Sequence, residues 1–306
     1  MSACRVIAVV NQKGGVGKTT TAVNLAACFA VSERRTLLID LDPQGNASSA
    51  FGVVNPPYQV YDTLIGRMAI KEAVLETQLD CLQLLAAGPD LVGAEIELAA
   101  AEDRAERLAE VVVDARNDYD LILIDCPPSL GILTLNALTA ADSILIPLQC
   151  EYYALEGLAR LLETRDLVRA QLNPALELEG IALTMVDMRN NLSRQVESEV
   201  RQHFGAKVYR TRIPRNVRLS EAPSHGKPIL LYDIHSRGAV AYLKLAEEML
   251  SNIPREEDAT ASNANRQAEK QLGQASESKP STARSSILKP SMSETSITNR
   301  RGTQHE

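Results

Sequence analysis

The sequence predicts an α/β fold, a doubly wound and mostly parallel sheet with helices on both faces. Three observations point there. Short apolar runs recur along the chain and alternate with helical patterns. The runs are rich in Ile, Leu and Val without polar alternation, as strands covered on both faces require. The core must also be aliphatic, because 45% of the 306 residues are hydrophobic but only 4% aromatic, with no Trp and three Phe.

In chain order the expected strands are RVIAVV (5–10), TLLID (36–40), CLQLLA (81–86), YDLILID (119–125), SILIPL (143–148), EGIALTMV (179–186) and KVYRTRIP (207–214). TTTAVNLAACFAV and EGLARLLETRDLVRAQL place apolar residues three and four apart and read as helices between strands. VAYLKLAEEML (240–250) is amphipathic but acidic, so it reads as the last helix packed on the fold rather than a membrane-surface helix. Beyond Ile253 the chain turns polar, without aromatic residues, and cannot bury enough apolar surface to offset chain ordering. The expected organisation is one domain over 1–253 and a disordered tail over 254–306. There is no internal repeat.

A net charge of −7 argues against a globally basic nucleic-acid binder, yet cations gather locally at Arg189, Arg194, Arg201, Lys207, Arg210, Arg212, Arg215 and Arg218. No run approaches the roughly 20 apolar residues of a membrane span, and the N-terminus leads straight into a strand, so a cytoplasmic location is expected. The five cysteines are scattered without a C-x-x-C pair and are expected to be buried small hydrophobes. The four histidines show no metal-ligand spacing, and His225 falls in a turn ahead of the last helix.

One stretch carries chemistry. VVNQKGGVGKTTTAVNLA (9–26) follows a strand and opens a helix, the context of a phosphate-cradling loop, but the first glycine of the usual G-x-x-x-x-G-K-[ST] pattern is replaced by Gln12. Backbone N–H groups of Gly14, Gly15, Val16, Gly17 and Lys18 can turn toward an anion at a helix N-terminus. Lys18 would lie along the β- and γ-phosphates of ATP, and Thr19 would offer its hydroxyl to Mg²⁺. Asp125, ending the strand LILID, is the expected carboxylate on the metal side. Of the two acids in LLIDLDPQGN, Asp42 stands further out than Asp40 and is the candidate to orient the attacking water.

KGGVGKTT (13–20), DLDPQGN (40–46) and IDCPPSLG (124–131) resemble the deviant Walker A, switch I and Walker B segments of the ParA/MinD ATPases, which have the P-loop NTPase fold. LTLNALTAAD (133–142), QCEYYALEGL (149–158) and IPRNVRLSEAPSHGKPI (213–229) resemble the ParA (Soj) chromosome-partitioning branch, and the resemblance spans residues 5 to about 250. It implies a weak ATPase in which Lys13 crosses a face-to-face homodimer to the partner's nucleotide, with Thr20 also at the nucleotide and Pro214 and Asn216 near the base. It implies non-specific DNA binding at the nucleoid through Arg189 and Arg218, and stimulation by a ParB-type centromere-binding partner. With the first strand starting near Arg5, no helix-turn-helix is expected ahead of it. The alternative is a MinD-like membrane-associated positioning ATPase with the same switch. An iron–sulfur ATPase of the nitrogenase iron-protein type would need paired cysteines, and Cys126 and Cys150 lie in surroundings unlike that branch. A dethiobiotin-synthetase-like ligase would need an acceptor pocket that the sequence does not declare.

Overall fold

The computed structural model describes residues 4–99, 101 and 103–251; the polar tail expected over 254–306 lies outside them. Eight strands form one sheet: β1 (Arg5–Val9), β2 (Thr36–Asp40), β3 (Leu75–Glu76), β4 (Leu82–Leu85), β5 (Leu121–Asp125), β6 (Ser143–Gln149), β7 (Glu177–Val186) and β8 (Val208–Pro214). Their spatial order is β3-β4-β2-β5-β1-β6-β7-β8. Every neighbouring pair is parallel except β3 with β4. The seven runs expected to be strands are all strands. β3 was not expected, since two residues paired antiparallel at an edge leave no apolar run to read.

The sheet is doubly wound. One face packs α1 (Lys18–Val31) and the last helix, Arg237–Ser251, around Ile7, Val9, Leu38, Leu123 and Leu145. The other packs the helices Leu91–Ala99, Arg107–Ala115, Ile132–Ala140, Ala154–Gln171 and Asn191–Phe204 around Ala8, Ile39, Ile124, Ile146 and Ile181. Alternate residues of the central strands thus feed opposite cores, which is why those strands read as unbroken apolar runs, whereas the edge strand β8 keeps Arg210 and Arg212 exposed.

α1 is buried on almost all sides, and its Ala22, Ala26, Ala27 and Ala30 let it approach the sheet closely. The last helix turns Ala239, Tyr242, Leu245, Ala246 and Met249 into the core, as the acidic amphipathic pattern implied. Among the described residues no helix is long and apolar enough to cross a membrane. Cys28, Cys126 and Cys150 are buried, but Cys4 and Cys81 are only half-buried, which corrects the expectation that all five are core residues. His225 ends a short turn of helix, Ala222–His225, and stacks on Tyr232 at 4.8 Å.

β1 is central, with β5 on one side and β6 on the other, so the chain reverses its winding direction there. Ligands of open parallel sheets sit beyond the carboxyl ends of the strands at such a switch point. The loop after β1 occupies that place.

Candidate nucleotide site

The loop from Val10 to Lys18 is held from below by two side chains. Asn11 donates to the Pro147 carbonyl at 2.8 Å and accepts the Lys13 N–H at 3.0 Å. The Thr184 hydroxyl, on β7, donates to the Val16 carbonyl at 2.8 Å. Gly15 and Gly17 take φ of +75° and +87°, the left-handed region where a side chain is strained, and Gly17 in this conformation starts α1. Gly14 differs. It has no such φ, and a Cβ added to it would meet no atom of its own chain within 4 Å.

The two lysines of the loop sit in opposite environments. Lys18 is 7% exposed, and burial pushes its pKa down against the pull of Asp125, Cys126 and Asp42. Its ammonium donates to the Lys13 carbonyl at 3.3 Å, bracing the loop across itself. The Lys13 side chain is half exposed at the rim and pairs with Glu151, just past the end of β6. The lysine expected to reach a partner's nucleotide is thus supplied by the fold with a counter-ion from its own chain.

Asp40 and Asp125 are register partners at the ends of β2 and β5, on the α1 face of the sheet, and both are fully buried. Adjacent strands lie about 4.8 Å apart, so two carboxylates are crowded together out of water. Burial, then the Asp40 charge, raises the Asp125 pKa well above the carboxylate range, with the Thr19 hydroxyl and Lys18 opposing. Both Asp125 carboxylate oxygens are buried without a formed hydrogen bond. Asp40 is pushed up to about 6 by burial, although its carboxylate accepts the N–H and hydroxyl of Ser48 at 2.7 Å each and the Asp42 N–H at 3.2 Å. Asp40 is therefore committed to the protein, while Asp125 is aimed at something else. An orphaned acid beside the Thr19 hydroxyl suits a hydrated divalent cation. No cluster of three metal-ligating side chains occurs among the described residues, so such an ion would need ligands from phosphate and water.

A cavity of about 600 Å³ opens over the loop, lined by Gly14, Gly15, Gly17, Lys18, Thr19 and Thr20. Asp42 walls it from one segment, and Pro214 and Asn216 from another. Asp42 is 7% exposed, and its carboxylate accepts the Gln44 N–H at 3.0 Å. Val16 is turned inward and 1% exposed, so only its backbone is available to the site. The Asn216 carboxamide oxygen is occupied capping the helix Val217–Glu221 through the Arg218 N–H at 2.8 Å. Sequence reasoning missed Asn24, Thr184 and Met185, which also line the cavity. Asn24 belonged to the quoted motif; nothing in the pattern marked the other two.

The proposed DNA contacts lie near this end of the sheet. Arg189 follows β7 and Arg218 follows β8, adjacent strands whose ends pair at Val186 and Pro214. Arg189 is highly exposed and pairs with Asp187 at 2.9 Å, holding that carboxyl down at about 2. Arg218 pairs with Glu221 at 2.9 Å and Asp233 at 3.6 Å. Arg201 and Arg212 are spent on the buried Glu197, at 2.7 and 2.8 Å, and are structural.

A glycine-rich loop at the switch point of a parallel sheet, a buried lysine opening the next helix and a strand-end acid together define a P-loop NTPase. The AAA domain family matches residues 4–178. The chain is 56% identical over 248 residues to the chromosome partitioning protein ParA of Myxococcus xanthus, covering 80% of this chain and 88% of that protein. It is 54% identical to the sporulation initiation inhibitor protein Soj of Bacillus subtilis, over 81% of this chain and 99% of that one. A solved structure named cobyrinic acid a,c-diamide synthase from Mycobacterium smegmatis, with bound ATP analog and magnesium, shares 38% identity and a TM-score of 0.71 over 81% of this chain and 94% of that one. The chain belongs to the ParA/Soj family of chromosome-partitioning ATPases.

Proposed function

We propose that this protein is an ATP-dependent dimerising switch that binds DNA without sequence preference and releases it on hydrolysis. A ParB-type partner would stimulate turnover, which is otherwise slow, and so drive segregation of a chromosome or plasmid. The observation that carries the reading is the contrast between the loop's two lysines, Lys18 buried at the site and Lys13 outward at its rim. Gly14 fits it: a Cβ there would meet nothing of its own chain within 4 Å, so in this reading a side chain would project into the space that the partner must enter.

In this reading the loop N–H groups and Lys18 hold the phosphates of ATP, and Thr19 and Asp125 hold Mg²⁺. Mg²⁺ held there would offset the negative charge of the phosphates. Asp42 orients a water molecule toward the γ-phosphorus; the water oxygen bonds to phosphorus as the bond to the ADP oxygen breaks, and the water's proton passes to an oxygen of the released phosphate. Pro214 and Asn216 flank the base. Lys13 leaves Glu151 for the triphosphate bound by the partner, which makes pairing depend on ATP. Arg189 and Arg218 of both chains then meet DNA phosphates.

The test is DNA retention and sizing with ADP, ATP and a non-hydrolysable analogue. Lys13→Ala and Gly14→Val should bind nucleotide yet stay single. Asp42→Ala should accumulate DNA-bound pairs, and Arg218→Glu should pair but release DNA. Retention by the wild type that is equal in ADP, ATP and no nucleotide would refute the reading.

A further inference from the structure

Two segments distant in sequence wall the cavity. One runs from Asp42 through Asn46 and Ser49; the other runs from Pro214 through Asn216 and Ser220. The first is pinned to the sheet by Ser48, which gives its N–H and hydroxyl to Asp40 and accepts the Ala87 N–H at 3.0 Å. The second carries Arg218 on the helix that Asn216 caps, and it is seated through Leu219 on Gly238, where an added Cβ would stand 2.6 Å from the Leu219 Cγ.

The walls meet beyond the cavity, backbone on backbone. A Cβ on Gly226 would fall 2.8 Å from the Gly52 Cα and 3.0 Å from its nitrogen, closer than any side chain tolerates. Both glycines take positive φ, +76° at Gly52 and +61° at Gly226. Gln78, exposed on the loop before β4, spans the joint: its carboxamide nitrogen donates to the Phe51 carbonyl at 3.1 Å and the Gly226 carbonyl at 3.4 Å. One side chain thus holds the ends of both walls.

We propose that the Gly52–Gly226 joint, clasped by Gln78, transmits the state of the Asp42 wall to the Arg218 wall. In the proposed placement, ADP and ATP present the same base to Pro214 and Asn216, which line one side of the cavity, and differ only at the γ-phosphate, toward Asp42 on the other. A difference between them felt at Arg218 within one chain therefore needs a path from the first wall to the second, and this joint is where the two backbones touch. Gln78 is a positioning residue: it touches no nucleotide-lining atom and acts through the carbonyls it holds. The inference rests on the proposed function in placing the γ-phosphate at Asp42 and the base at Pro214 and Asn216, and in taking DNA as what Arg218 meets.

Hydrogen exchange of the segment 217–226, with ADP and then with a non-hydrolysable ATP analogue, reads the joint directly. The wild type should exchange at least about threefold more slowly in the analogue. Gln78→Ala should bring that ratio below about 1.5 while keeping analogue affinity within about twofold. Gln78→Glu, the same size but presenting an acceptor to two carbonyls, should do the same; a filler of space would tolerate it. Gly226→Ala should act alike by prising the backbones apart. An unchanged ratio in both Gln78 variants, or no ADP-to-analogue difference in the wild type, overturns the proposal. DNA retention measured in parallel separates the two ideas: retention indifferent to nucleotide refutes the switch, whereas the exchange ratio still judges the joint.

Discussion

At the scale of single residues, the site is built around carboxylates that the bare protein holds at a cost. Asp125 and Asp40 both have pKa values raised in the folded state, so between about pH 4 and their folded values the native chain binds more protons than the unfolded one. Stability from these groups is complete at the low end of that window and is lost as pH rises; for Asp40 the loss runs through about pH 6. Below the window Asp120 and Asp187, whose pKa values are lowered, act in the opposite sense. Nucleotide-free protein should therefore melt several degrees higher at pH 5 than at pH 7.5. Asp125→Asn should raise the melting temperature at neutral pH, weaken that pH dependence and lose Mg²⁺-dependent hydrolysis. Thermal melts followed by circular dichroism check this, and an Asp125→Asn protein no more stable than wild type at pH 7.5 would contradict it.

Among elements, what joins the site is side-chain hydrogen bonding between helices and loops far apart in sequence. Asn24, 4% exposed on α1, donates to the Thr20 carbonyl at 2.7 Å and accepts the Ile229 N–H at 2.7 Å, tying the nucleotide helix to the short helix Ile229–Tyr232. Asn24→Ala leaves that buried N–H without a partner and should lower stability by about 1–3 kcal/mol, measurable as a shift in the denaturant midpoint with unchanged slope. Such ties explain what the sequence could and could not tell. The unbroken apolar runs located seven strands, and the loop motif with the acid ending LILID located the phosphate end of the cavity, because each signal is local. Asn24 with Ile229, Thr184 with Val16, and Lys13 with Glu151 join residues 205, 168 and 138 positions apart. No local pattern announces them; strand order brings them together. The basic cluster shows the same limit, since counting arginines did not separate Arg212, committed to Glu197, from the exposed Arg189.

For the whole molecule, the candidate DNA arginines follow β7 and β8, the last two strands on one side of the sheet, while the nucleotide loop sits over the central strand. Two arginines per chain in a closed pair make about four phosphate contacts, so the logarithm of DNA affinity should fall with the logarithm of salt at a slope of about −3.6. Retention in ATP should drop roughly 100-fold between 50 and 200 mM salt, checked by fluorescence anisotropy, and a slope near zero would remove these residues from the contact. The pairing of Lys13 with Glu151 has a further effect on such an assembly. In the proposed pair this ammonium would exchange Glu151 for the partner's phosphates, and the exposed ion pair that it gives up is worth under about 1 kcal/mol. Leaving Glu151 would thus cost the proposed pair little, so nearly all that the ammonium gains at the triphosphate would go into closure.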